Sequence, residues 1–407
     1  GLTVLILEDH RTPLVSAELS IHGAGELYSP ELPGVAHLTA LMLTRGTKGR
    51  KARQIAEETD KLGASLSVSA PYGGESTVFS LSGLSETFEQ AMMLTADVLV
   101  NPVFPEDELN RLRQRELTAL QQQAANPNFL VNQKFAEVLY GKHPAAIESA
   151  TAASLNAITR EHLLKWHRER YAPQNAVLTI AGDVDPKDIL GKVKRLSFVW
   201  TRQSFTPTLP ETPKPAAERK IHLVDRPGSV QTNLRLGNLA IDRRHEDFFR
   251  LFLTLREEKG YTYGVGSRVA AGRFTGPWSA SGSVRGEVTG ESVTEMFKEI
   301  RRMIDEPVPA SELDDAKRAL VANFALTLES PARVMSYLAE RQRYGFPADY
   351  WDKYPERIAA VTTEDIQRVA KRYLNPDAIQ IVAVGDATRI SGALEKFGPL
   401  EVAGGSK

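Results

Sequence analysis

Residues 34–47 read GVAHLTALMLTRGT, an apolar helical run holding a single histidine, His37. Ala40 and Leu41 follow three and four positions later, where side chains share one helix face. Zinc peptidases use that spacing for metal ligands and a general base. Here the face offers one imidazole and two hydrocarbons. A second constellation is LREEKGYTYGVGSR, residues 255–268. Residues 251–259 read as a helix end, and Gly260 suits the position just past it, since glycine enters the left-handed conformation cheaply. YTYGV then opens a strand with Tyr261 and Tyr263 on one face. The turn brings Arg256 close to a strand tyrosine. An arginine fork and a phenol can both donate hydrogen bonds to a peptide carbonyl or an oxyanion. Taken singly, arginine near a helix C-terminus and tyrosine in a strand are also ordinary structural choices.

The remaining histidines, at 10, 22, 143, 162, 167, 222 and 245, form no His-x-x-x-His pair. His22 with Glu26 spans a glycine-containing turn, and His222 with Glu218 leaves a proline-rich stretch, so neither pair reads as a helical zinc site. Solvent-facing or capping roles are the ordinary ones for such residues. No phosphate loop, nucleophile elbow or dinucleotide fingerprint is present.

The elements that must position these residues come in two sets. A chain of 407 residues exceeds one ordinary core. Its 42% hydrophobic and 25% charged content is that of a globular protein. Net charge is −1, which leaves no electrostatic footprint for nucleic acid or an anionic membrane. With no cysteine, disulfides and thiolate chemistry are excluded. The sequence opens at Gly1 inside a strand-like run, GLTVLILED, so a preceding segment, which could be a signal peptide, is expected to have been removed or to lie outside this sequence.

A proline-rich stretch at 206–218 reads as an extended linker. The stretches 158–185 and 361–388 align without gaps at an offset of 203, Thr159 meeting Thr362, Pro173 meeting Pro376 and Gly182-Asp183 meeting Gly385-Asp386. Each has a threonine N-cap, an amphipathic helix, a proline turn and an apolar strand. The repeat implies a duplicated domain: one at 1–205 and one at 219–407. Strand runs joined by short loops, with helices in blocks, predict an α+β fold in which helices pack on one face of a mostly antiparallel sheet.

Together these blocks resemble the insulinase/pitrilysin family of zinc metallopeptidases. The resemblance runs through PGVAHLTALMLTRGT, LVNPVFPEDEL, LYGKHP, the strand ending AGDV, and LREEKGYTYGVGS. In that family the segment aligned with His37 carries H-x-x-E-H, two zinc ligands around a glutamate base. The resemblance implies that Ala40 replaces the base and Leu41 the second ligand. The family's third ligand is a glutamate about 75 residues further on. Helix pattern allows either Glu116 or Gln121–Gln123 at that place. The family also has an arginine and a tyrosine seven residues apart that hold the substrate carbonyl, and Arg256 and Tyr263 match them.

The resemblance therefore implies a non-catalytic subunit, inactive alone and binding no cofactor itself. Its partner would be a homologous chain with an intact H-x-x-E-H, which carries zinc and the glutamate base. Arg256 and Tyr263 would act on the peptide substrate in that partner's active site. A scaffold protein of the same fold, like the core subunits of a respiratory complex, is the alternative. The periplasm is the expected compartment, with the cytoplasm second. Residues 70–81 resemble the family's edge strand, where a peptide can add by β-augmentation. The family carries about twenty more residues where Arg250 meets Leu251 here, a glycine-rich loop expected to be mobile and omitted from this sequence rather than deleted.

Overall fold

The computed structural model describes residues 1–197, 199–256 and 266–404. Two compact units emerge. The first comprises residues 1–121, 147–210 and 327–343; the second comprises 122–146, 211–326 and 344–407.

The sheet of the first unit uses β1 (Thr3–Glu8), β2 (Leu14–His22), β3 (Ser65–Ser69), β4 (Ser76–Leu84) and β5 (Ala176–Gly182) in the order β1-β5-β2-β4-β3. Only β1 and β5 run parallel. The second unit repeats the pattern with β6 (Lys220–Asp225), β7 (Gln231–Ile241), β8 (Gly266–Val269), β9 (Gly276–Arg285) and β10 (Gln380–Gly385) in the order β6-β10-β7-β9-β8. One further strand, β11 (Leu400–Gly404), extends it beside β6. The fold is α+β with a mostly antiparallel sheet in each unit.

The aligned repeat is visible residue by residue. Thr159 caps the helix Arg160–Arg170 by accepting from the backbone N–H of His162, and Thr362 caps Thr363–Tyr373 by accepting from that of Asp365. Each helix precedes the matching strand, β5 or β10. The strands sort to either side of the proline-rich segment, whereas the helices do not. Pro127–Tyr140 sets Val131, Phe135 and Leu139 against Val224, Leu239, Val382 and Val384 of the second sheet. Residues 327–343 belong to the first unit. The linker is tied at both ends: Phe205 O accepts from Asn175 Nδ2, and Ala216 N donates to Asn238 Oδ1.

On β2, β4 and β5 one face is apolar, with Leu19, Ile21, Phe79, Leu81 and Ile180 buried beneath helices. The opposite face is built of small polar side chains, such as Ser16, Ser80, Ser82 and Thr179. One expectation changes here. The strand within residues 70–81 is not an edge: β4 pairs with β2 on one side and β3 on the other, and β3 is the outer strand. In the second unit, Leu251 N donates to Asp247 O at 2.8 Å at the start of the helix Phe248–Arg256.

Gly182 ends β5 at φ +130°, and a Cβ there would sit 2.1 Å from the carbonyl oxygen of Leu14. Its repeat partner Gly385 would meet side-chain atoms of Ile390 and Thr232 at 2.9 and 3.0 Å. Gly182→Ala is therefore expected to cost about 2–4 kcal/mol of stability in urea titration, and Gly385→Ala distinctly less. Equal costs would contradict the clash with backbone.

Candidate functional site

The His37 helix, Val35–Met42, begins where a buried carboxylate can receive it. Glu26, 3% exposed, accepts hydrogen bonds from Gly34 N at 3.1 Å, His37 N at 2.6 Å and Ser29 Oγ at 2.6 Å. A negative group there satisfies orphan N–H groups and complements the helix dipole. Burial raises the Glu26 pKa, against the opposing pull of these donors. Sequence spacing had paired Glu26 with His22; the structure instead gives His22 Nδ1 to Ser76 Oγ at 2.8 Å.

This cap fixes the direction of the His37 ring. Nδ1 meets the carbonyl of Ala70 at 3.2 Å, Nε2 faces Glu116 Oε2 at 3.6 Å, and the ring lies 5.1 Å from that of Tyr72. The acid that meets His37 is thus Glu116, on the helix Glu106–Ala124, while Gln121 and Gln122 are exposed. Side-chain exposures of 21% for His37 and 19% for Glu116 place the pair mostly out of water. Burial pushes the His37 pKa down, but the Glu116 bond and charge, Ala70 O and Glu26 outweigh it and the net shift is upward. The His37 bond lowers the Glu116 pKa.

Ala40 is fully buried, and Leu41 packs against the same core cluster. A catalytic zinc takes three protein ligands and an open position. His37 and Glu116 supply two, and the side chain that would complete the set is hydrocarbon. The residues do not fit the ion. Among the described residues no group of three or more His, Asp and Glu is placed to hold a metal.

The other constellation is anchored by a residue that its sequence context did not advertise. Asp247, 0% exposed, sits just ahead of the helix Phe248–Arg256. It accepts from Arg368 at 2.6 and 3.2 Å and from Tyr373 Oη at 3.2 Å. Burial alone would raise its pKa; the Arg368 bond and charge reverse the sign. Leu251 and Leu253 are buried on this helix, which fixes its course. Arg256 is its last residue. The Arg256 side chain and all of Tyr263 lie outside the described residues, and β8 follows from Gly266. Two other histidines depart from a solvent-facing role: His222 is buried in β6, and His167 Nε2 bonds Leu99 O at 2.7 Å.

A family model described as Insulinase (Peptidase family M16) matches residues 3–151. One described as Peptidase M16 inactive domain matches 157–249 and 244–320. A Rickettsia bellii protein named an uncharacterized zinc protease is 27% identical over 403 residues, covering 94% of this chain and 95% of that protein. A Rickettsia felis protein of the same name is 28% identical, covering 89% of each. The crystal structure of a peptidase M16 inactive domain from Pseudomonas fluorescens superposes with a TM-score of 0.87 at 28% identity, covering 95% of this chain and 96% of that one.

Two outcomes follow from the site. His37, with a raised pKa, contributes stability that is complete below about pH 6.5 and lost as pH rises through its folded value; Glu116, with a lowered one, contributes above about pH 4.5. Glu116→Gln is expected to cost about 1–2 kcal/mol at pH 5.5 and markedly less at pH 8.5, by chemical denaturation at both. A cost independent of pH would contradict the ion pair. Asp247→Asn is expected to cost about 2 kcal/mol, a modest figure for a buried carboxylate because the half-exposed Arg368 stays hydrated. A thermal melt unchanged from wild type would refute its anchoring role.

Proposed function

Because the chain belongs to the insulinase family, peptidase family M16, we propose that it is the non-catalytic, activity-supporting subunit of a heterodimeric zinc peptidase. The observation that carries this reading is the helix face on which His37 pairs with Glu116 while Ala40 and Leu41 are packed as core. A chain without a base and with two of the ligands cannot activate water on its own. Zinc and the glutamate base would belong to a homologous partner with an intact H-x-x-E-H.

What this chain contributes is the Arg256/Tyr263 pair, retained at the family's spacing. A guanidinium and a phenol that donate to the substrate carbonyl hold it in place. The same donors strengthen their bonds as negative charge develops on that oxygen, which lowers the barrier rather than merely tightening binding. The match of residues 157–249 and 244–320 to a model described as an inactive domain supports a non-catalytic role for that part of the chain.

The test is peptide cleavage by this chain alone, by the H-x-x-E-H partner from the same source alone, and by the two mixed. Activity is expected from the mixture well above that of either chain; a partner as active alone as in the mixture would end the proposal. In the mixture, Arg256→Ala and Tyr263→Phe should each lower kcat/KM by about 10- to 1,000-fold, equivalent to roughly 1.5–4 kcal/mol. Wild-type kinetics from both variants would remove the pair from the mechanism.

A further inference from the structure

On the second unit's sheet, the face covered by the helix Pro127–Tyr140 is apolar only as far as β7. Beyond it, cross-strand pairing puts Asn233 and Arg235 beside Ser283 and Ser281 of β9, and Ser281 and Ser279 beside Gly266 and Arg268 of β8. The helix stops short of these strands. A trough of about 540 Å³ remains, between the helix and the outer strand β8. It is lined by two arginines, amides and hydroxyls, with no carboxylate among its described lining residues. A volume of this order accommodates several residues of an extended ligand.

The floor is held rigid. Asn233 Nδ2 donates to Asn128 Oδ1 at 2.6 Å and to Ser283 Oγ at 2.7 Å. Arg235, 7% exposed, donates from Nη1 to Asn132 Oδ1 at 2.5 Å and from Nη2 to Ser279 Oγ at 3.3 Å, and its guanidinium lies 4.5 Å from the Phe135 ring centroid. These contacts fix a positive charge in the wall of the trough. Arg268 is exposed on β8 and has no acidic partner among the described residues. A guanidinium left open beside a fixed one suits a planar carboxylate, which it can bind through two parallel hydrogen bonds. The amides and hydroxyls on the same floor match peptide groups. A lone small anion would leave them unused.

The first unit supplies a contrast. Its polar face forms a smaller trough with Ala332, Met335 and Ser336, and there the charged lining residue is Glu18, with no arginine or lysine. The two duplicated sheets have kept a hydroxyl-lined face and diverged in charge.

We infer that the trough between the helix Pro127–Tyr140 and strand β8 binds acidic peptide segments, with Arg268 taking a carboxylate and Arg235 supplying the field that favours it. This rests on the subunit reading only in taking the ligand to be a peptide. The experiment measures binding of two labelled peptides to the chain alone by fluorescence anisotropy. One carries glutamates, and its twin carries glutamines at the same positions. The glutamate peptide is expected to bind at least about 10-fold tighter at low salt, with the advantage shrinking as salt rises. In Arg268→Gln the ratio should fall to about threefold or less, and in Arg268→Glu it should vanish or reverse. Arg268 is exposed, and a thermal melt checks that both variants fold. Equal affinity of the two peptides for the wild-type chain overturns the inference. So does a preference that survives in both variants, or inorganic phosphate binding with no discrimination between the peptides. Charge-selective binding by a chain that fails to support cleavage counts against the subunit reading and leaves this inference standing. Normal support without selectivity does the reverse.

Discussion

A helix face can hold a metal or pack as core, and in the helix Val35–Met42 positions 40 and 41 pack as core. Ala40 is buried completely and Leu41 closes over the same cluster. Everything that survives around His37 is arranged to satisfy one imidazole without a metal: Ala70 O on one nitrogen, the Glu116 carboxylate on the other, and the Glu26 cap beneath. A half-buried histidine would otherwise be pushed toward neutrality. The Glu116 pairing outweighs that push, raising the His37 pKa, and ties the helix Glu106–Ala124 to the His37 helix.

The same logic of fixed charge recurs in the second unit. Asp247 is held by Arg368 and Tyr373 immediately before the helix that ends at Arg256. Arg235 is held by Asn132 and Ser279 in the wall of the polar trough. In each case a charge is placed by neutral or opposite partners rather than by packing alone. That preorganisation lets a side chain act on a ligand without first paying to reorganise.

Much of the architecture was legible in the sequence because the duplication is local. A threonine cap, a helix, a proline turn and a strand recur in register, and the structure returns them as Arg160–Arg170 with β5 and Thr363–Tyr373 with β10. What stayed hidden depends on contacts distant along the chain. Val131, Phe135 and Leu139 announce an apolar helix face but not which sheet it covers, so residues 122–146 could not be assigned to the second unit from the sequence. Periodicity places Glu116 and Gln121–Gln123 on one helix; only the tertiary fold turns Glu116 to His37. Glu26 opens a local helix of three residues, Glu26–Tyr28, and its role appears only when Gly34 and His37 bring their N–H groups to it. The strand at 76–84 carries the same alternation in the middle of a sheet as at its edge, so pattern could not correct the resemblance that placed it at an edge.

The central claim, that this chain left metal chemistry to a partner, is tested most directly by elemental analysis. Zinc would be measured in the purified chain after equilibration with the ion and gel filtration, and in the complex isolated from its native source. Zinc is expected to be far below stoichiometric in the chain alone and stoichiometric in the complex, carried by a homologous chain with H-x-x-E-H. Tightly held, stoichiometric zinc on the chain alone, lost in His37→Ala, would contradict it.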